Sequence, residues 1–311
     1  MLSRLSRCSR IFLVGTGTSY HGALVGQYLL RSAGIDTWAI PAFEFVNYPP
    51  RIRGDDGLLL LSHRGSKRYS QAALEAFHNK DQWLAITGEG SPLQGPGVIT
   101  TVPQERSPVH TASHTGAMIR LAQVAVGLGS PRWKDELARL PGAVRAALAL
   151  RQQVVQAMDQ LPIGRVVHFV GAGPAYATAL EGALKLREAA WVGTEGHELE
   201  SILHGPLISL DAQDSVVMMA QPGASLERTT ELAAALHEIG TPTLAVGPAA
   251  ASLMVSTARL ETPVVDELLA PIVNVVPLQL LALEVSRRLG VDADSFRKEG
   301  RHAAAQTKFT L

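Results

Sequence analysis

Three kinds of proton-moving side chain stand close together between Gly171 and Pro206. Glu181, Lys185 and Glu188 fall at i, i+4 and i+7, one stripe of a helix. The stretch ends in His204-Gly205-Pro206. A carboxylate, an ammonium and an imidazole are the groups that move protons on and off carbon and oxygen. The spacing also has a plainer meaning. Glu181 four residues before Lys185 is an ordinary helix-surface ion pair. Glu188 can pair with Lys185 or with Arg187, and a loop histidine can be a solvated or capping residue. Spacing alone leaves both readings open.

A second set of residues suits an anion. Ser62-His63-Arg64-Gly65-Ser66-Lys67 follows the apolar run 58–61 and precedes a helical pattern. Hydroxyls, backbone N–H groups and a helix N-terminus together attract phosphate. Thr18 and Ser19 follow Gly15-Thr16-Gly17 at the end of another apolar run, 11–14. Ser113, in His110-Thr111-Ala112-Ser113-His114, opens a third helical pattern. Any one of these hydroxyls can be a simple N-cap. Three such loops on one sheet edge favour a binding site, because ligands of open α/β sheets bind at the carboxyl ends of strands.

The elements that must position these groups alternate along the chain. Strands are expected at 11–14, 37–40, 58–61, 83–86 and 98–102, with helices at 68–78, 115–126 and 133–158. A helix also follows Gly17. The second half repeats the order, with strands at 166–170, 215–219, 243–246 and 259–261 and helices at 175–190, 226–239 and 278–289. Arg10 to Tyr20 (RIFLVGTGTSY) aligns with Val166 to Tyr176 (VVHFVGAGPAY), an offset of 156 residues. The expectation is an α/β fold of two tandem domains, 1–150 and 151–311, each a parallel sheet flanked by helices on both faces.

Composition excludes several classes. Lys plus Arg and Asp plus Glu both number 28, so the balanced charge gives nucleic-acid binding no support. Cys8 is the one cysteine, which rules out an internal disulfide and fits the cytoplasm. The N-terminal MLSRLSRCSR has no apolar core long enough for a signal peptide. The apolar stretch 268–285 is broken by Pro271, Asn274 and Pro277, which makes it a buried segment and not a membrane span. Both Gly-x-Gly turns lack the third glycine of a dinucleotide site, having Tyr20 and Tyr176 there. Asp36 stands at a suggestive distance but precedes its strand. No cofactor is therefore expected. No metal is expected either, since only His110 and His114 share an i, i+4 spacing. A Gly-x-Ser-x-Gly elbow is absent.

Three motifs together resemble the sugar isomerase (SIS) family, and within it the isomerase half of the glutamine–fructose-6-phosphate aminotransferases. They are Ala179 to Glu188 (ALEGALKLRE) followed by His204-Gly205-Pro206, then Ala270 to Ala282 (APIVNVVPLQLLA), and the Gly17-Thr18-Ser19 turn. The resemblance runs from about residue 10 to the C-terminus. It implies a phosphosugar aldose–ketose isomerase, or an amino-sugar phosphate deaminase, aminotransferase or deglycase that does not use glutamine. It implies Glu188 as the base acting between C1 and C2, Lys185 as its electrostatic neighbour, and His204 as the ring-opening group, supplied to a neighbouring subunit. It also implies Lys308 as an imine-forming lysine and Gly17, Thr18, Ser19, Ser62 to Lys67 and Ser113 as the substrate-holding positions. A homodimer or higher oligomer follows from the shared histidine. Where the family's phosphate loop usually reads Ser-Gln-Ser-Gly-Glu-Thr, this chain substitutes two cations, Arg64 and Lys67, and loses or moves two hydroxyls. The family's Asp-x-Pro-Arg becomes Asp292-Ala293-Asp294-Ser295. The altered loop keeps a second reading alongside the first, a phosphosugar-binding sensor without chemistry.

Overall fold

The computed structural model describes residues 2–77 and 81–310. The chain forms two compact units, Met1–Leu137 with Asp294–Leu311, and Ala138–Ala293. In the first, the elements are β1 (Arg10–Gly15), α1 (Thr18–Ser32), β2 (Asp36–Pro41), α2 (Ala42–Asn47), β3 (Asp56–Leu61), α3 (Arg68–Glu75), β4 (Trp83–Glu89), β5 (Val98–Pro103) and α4 (Ala112–Gly127). The chain then runs through α5 (Lys134–Leu148) and α6 (Arg151–Met158). The second sheet is built from β6 (Val167–Gly171), β7 (Thr194–Glu198), β8 (Ser215–Met219), β9 (Thr243–Val246) and β10 (Ala258–Leu260). Its helices are α7 (Pro174–Ala190), α8 (Leu199–Leu203), α9 (Leu226–Ile239) and α10 (Ala270–Arg288). A short helix, α11 (Gly300–Gln306), closes the chain.

Both sheets are parallel and have the same order. The first reads β2-β1-β3-β4-β5 and the second, in reverse, β7-β6-β8-β9-β10. Parallel strands covered on both faces must be apolar throughout, and β3 is buried along its whole length. Phe12, Val14, Leu58 and Leu60 pack with Phe45 and Phe77 in one core layer. Phe12 and Phe45 lie 5.5 Å apart between ring centroids.

The repeat extends to one ion pair whose carboxylate is buried in both copies. Arg10 grips Asp56 with two bonds of 3.0 and 2.7 Å, tying β1 to β3 at their amino ends. Arg165 grips Asp214 in the same two-pronged way at the start of β6 and β8. Bidentate arginine–carboxylate pairs fix geometry as well as charge, so each pair sets the register of its central strands.

Several elements differ from the sequence expectation. β7 was not expected, because its residues, Thr-Glu-Gly-His-Glu, are polar. It is an edge strand, covered incompletely, and needs no continuous apolar run. The helices α2 and α8 are short and carried no periodic signal. The expected helix 133–158 is broken after Leu148, where the Leu150 N–H bonds back three residues to Ala147. Asp36 does not precede its strand: it opens β2 and pairs with Arg10. Helix α10 begins eight residues before the expected start. Pro271 sits in its first turn, where its missing N–H is no loss, and Ala270 to Leu278 are all buried. Helix α3 ends at Glu75, and the expected end at His78 lies outside the described residues. No described helix is long and apolar enough to cross a membrane.

Candidate active site

The strand order of the first unit reverses between β1 and β3, and a ligand crevice opens at the carboxyl ends of such a pair. The loops after these two strands carry Gly17, Thr18 and Ser19, and Ser62 to Lys67. Gly17 holds φ at 55°, a left-handed conformation that lets α1 start directly after β1. Gly65 has φ 68°, and a Cβ there would run into the Ser91 hydroxyl. The loop is therefore shaped around a residue without a side chain.

Among the described residues, the hydroxyls of Ser19, Ser62 and Ser66 bond to no protein group. Ser62 is nonetheless 95% buried, with 5% exposure. Arg64 is exposed and Lys67 half-buried, at the cap of α3. His63 faces the other way. Its Nε2 accepts from the Glu105 N–H at 3.2 Å, and its carbonyl accepts from Gly88 at 2.9 Å and Gln104 at 2.8 Å. Burial, then the nearby His110, pushes the His63 imidazole below its ordinary value, in keeping with an accepting nitrogen. These bonds tie the loop to the Gly88 and Gln104–Glu105 backbone region.

Ser113 is already occupied. Its N–H and hydroxyl donate to the Glu105 carboxylate at 2.9 and 3.3 Å, and the Thr111 N–H donates at 2.9 Å. Glu105 thus fills the N-terminus of α4 from within. Burial alone would raise this carboxyl, but His110, Ser113 and Thr111 outweigh it and hold it at about 2. Sequence reasoning missed Glu105, which lies in an aperiodic loop eight residues before Ser113. Glu105→Gln is expected to destabilise the protein by about 1.5–3 kcal/mol, the usual worth of hydrogen bonds to a charged group. A depressed carboxyl stabilises above its unfolded value of 4.5 and loses that contribution as pH falls toward about 2. The wild-type and variant melting temperatures should therefore converge as pH drops through that window. A gap independent of pH would refute the charged cap.

In the second unit, α7 lies close against β6 and α10. Gly182 permits this, since a Cβ there would come within 2.6 Å of Leu278 Cδ1 and 2.8 Å of Phe169 Cδ1. The close fit buries the stripe of ionisable residues. Glu181 has no exposure, Lys185 has 1% and Glu188 has 19%. Lys185 Nζ lies 2.5 Å from Glu188 Oε2 and 3.5 Å from Glu181 Oε1. The structure thus decides against the exposed surface pair: one ammonium is shared by two carboxylates in a dry site. Burial would lower the lysine, but Glu181 and then Glu188 outweigh it and hold it above its ordinary value. Glu188 alone of the two carboxylates reaches solvent. Thr194 Oγ1 donates to the Ala183 carbonyl at 2.7 Å, anchoring the start of β7 to the same helix.

His204 stands apart from this cluster, at the end of α8, with its side chain 72% exposed. Its Nε2 meets Glu200 Oε1 at 2.8 Å. Glu200 also takes two bonds from Arg228, at 2.7 and 2.8 Å, and Arg228 and His204 hold its carboxyl at about 2. The histidine is therefore oriented by a carboxylate and presented outward. Glu200 was missed, although its i, i+4 spacing to His204 is visible in the sequence. Lys308 follows α11, exposed, with no side-chain partner among the described residues.

Two copies of one doubly wound α/β domain, with hydroxyls at one switch point and a buried carboxylate–ammonium cluster, define the class of protein. The SIS domain model matches residues 4–125 and 165–286, so the chain belongs to the SIS domain family. It is 32% identical over 307 residues to a glutamine–fructose-6-phosphate aminotransferase (isomerizing) of Gloeobacter violaceus, covering 93% of this chain and 50% of that protein. The chain spans about half the length of the curated relatives it matches. The C-terminal domain of a glucosamine-fructose-6-phosphate aminotransferase from Francisella tularensis superposes with a TM-score of 0.83 at 21% identity, over 94% of this chain and 88% of that one. A tagatose-6-phosphate ketose/aldose isomerase from Escherichia coli superposes with a TM-score of 0.77 at 20% identity, over 94% and 86%.

Proposed function

We propose that this chain is a phosphosugar aldose–ketose isomerase. The observation that carries the reading is the 2.5 Å contact of Lys185 with Glu188, the solvent-reaching member of a buried cluster. Glu188 takes a proton from C1 of an open-chain ketose phosphate while the C2 carbonyl oxygen gains one. Protonated Glu188 then delivers its proton to C2 while the C1 hydroxyl gives one up and becomes the aldehyde, leaving the aldose. Lys185 Nζ, 2.5 Å away, holds the Glu188 carboxylate in position. It also offsets the negative charge that develops on the enediol, an effect magnified where water is excluded. His204 opens the sugar ring, and its exposure suits delivery to a neighbouring subunit of a homodimer or larger oligomer. With a single cysteine and no bridge to form, the cytoplasm is its proposed compartment.

The free hydroxyls of Ser19, Ser62 and Ser66 support a phosphate cradle, with Thr18 beside them and Arg64 and Lys67 adding charge. Ser62→Ala is expected to weaken binding of a hexose 6-phosphate by about 1–2 kcal/mol. Calorimetry showing unchanged affinity, with the fold intact, would put the phosphate elsewhere. The free Lys308 amine favours one extension: condensation with a C2 carbonyl, releasing water, gives an imine through which an amine is gained or lost. The runner-up is a binding protein without chemistry, and the altered loop Ser62 to Lys67 is what favours it.

The shared histidine has its own test. Inactive Glu188→Gln and inactive His204→Ala subunits are mixed and exchanged. Recovery of part of the activity is expected, because one site in each hybrid dimer is then whole. Hybrids with no activity would sink the shared site.

A further inference from the structure

Three ligand-bearing side chains with no part in the proposed reaction meet across β6 and β7. Glu195 and His197 are i, i+2 on β7, and so face the same side of the sheet. His168 on the neighbouring strand pairs in register with Glu195. His168 Nδ1 lies 3.0 Å from His197 Nε2 and 3.9 Å from Glu195 Oε2. His197 Nε2 lies 3.3 Å from the same carboxylate oxygen. A tetrahedral ion with bonds of about 2.0–2.1 Å holds its ligand atoms roughly 3.3–3.4 Å apart. The three edges bracket that value, so a single point lies about 2 Å from all three atoms.

The surroundings agree with the geometry. His168 is 95% buried, at 5% exposure, and the His197 side chain is 12% exposed. Burial first, and for His168 the neighbouring His197 next, pushes both imidazoles below their ordinary value. The Glu195 side chain is 58% exposed, which leaves a fourth position open to water. Two imidazoles and one carboxylate suit zinc and its neighbours better than magnesium or calcium, which favour oxygen alone.

We propose that His168, Glu195 and His197 form a transition-metal site of the zinc class, with water as fourth ligand, that clamps edge strand β7 to β6. The site is structural. His168 is three residues before Gly171, about 10 Å short of the strand's carboxyl end, where α/β sheets bind substrate. What the clamp steadies is the segment that follows. Glu198 ends β7 and caps α8, accepting from the N–H groups of Glu200 and Ser201 at 3.0 and 2.9 Å. Helix α8 then ends at His204. The sequence hides this set, because two ligands are spaced for a strand and the third comes from its neighbour.

Chelator-washed full-length protein is titrated with zinc and with cobalt(II). One equivalent should bind, cobalt should give the visible absorption of a low-coordinate ion, and the melting temperature should rise with zinc. Glu195→Gln, an exposed and conservative change, should weaken binding at least about tenfold, and His197→Ala should abolish the cobalt spectrum. Hydrogen exchange over residues 194–204 should slow with zinc in wild type and not in His197→Ala. Wild-type protein that takes up no stoichiometric metal overturns the site, as does a cobalt spectrum unchanged in both variants. Stoichiometric binding with no slowing of exchange overturns the clamp.

Discussion

Lys185→Met is expected to destabilise the protein by about 3–5 kcal/mol, because it removes the ammonium that the carboxylates of Glu181 and Glu188 share in a buried cluster. Methionine fills nearly the same space, so the loss is electrostatic and not a cavity. For a unit of this size the melting temperature should fall by on the order of 10 °C. The loss should depend on pH in a definite direction. Taking an opposite charge away from a buried carboxylate makes it take up a proton more readily, so lowering the pH shrinks the deficit. The wild-type lysine has a raised value. Its contribution is complete below the unfolded lysine value of about 10.4 and is lost only as pH rises through the higher folded value. The variant should therefore sit closer to wild type at pH 5 than at pH 8. An equal deficit at both would mean that packing, and not the ion cluster, holds α7 in place.

Glu188→Gln should leave stability nearly unchanged and remove activity. The carboxamide oxygen still accepts from Lys185, and the side chain already reaches solvent. What disappears is the proposed base, and removing a positioned base lowers rates by roughly 100- to 10,000-fold. The loss should fall on kcat, with KM for the sugar phosphate little altered. Lys308→Ala should differ from it, impairing amine-linked chemistry more than plain isomerisation, because only the former passes through an imine. A Glu188→Gln enzyme that turns over at the wild-type rate would remove Glu188 from the role of base.

Much of this was legible in the sequence because parallel strands announce themselves. β1, β3, β6 and β8 are buried on both faces and read as apolar runs, interrupted in β6 by His168, and the Gly15-Thr16-Gly17 and Gly171-Ala172-Gly173 turns mark where β1 and β6 are followed by a helix. The edge strand β7 gave no such signal, since one open side admits Glu195, Gly196 and His197. The helical stripe of Glu181, Lys185 and Glu188 was visible, but its burial was not. Spacing describes one helix, while burial depends on Gly182 letting α10 and β6 close over it. Ser113 shows the opposite limit. A serine at a helix start reads as a ligand-binding hydroxyl, yet a carboxylate from an irregular loop, Glu105, fills that place.

The most direct measurement is proton exchange in heavy water. Wild-type protein is incubated with a panel of ketose and aldose hexose phosphates and amino-sugar phosphates, and C1 and C2 are followed by NMR. Deuterium is expected to enter C1 of at least one ketose phosphate, because a proton held by Glu188 as base would trade with solvent before it returns. Glu188→Gln is expected to abolish this exchange. Tight binding of a sugar phosphate by wild-type protein, with no exchange across the whole panel, would contradict the account and leave a sensor.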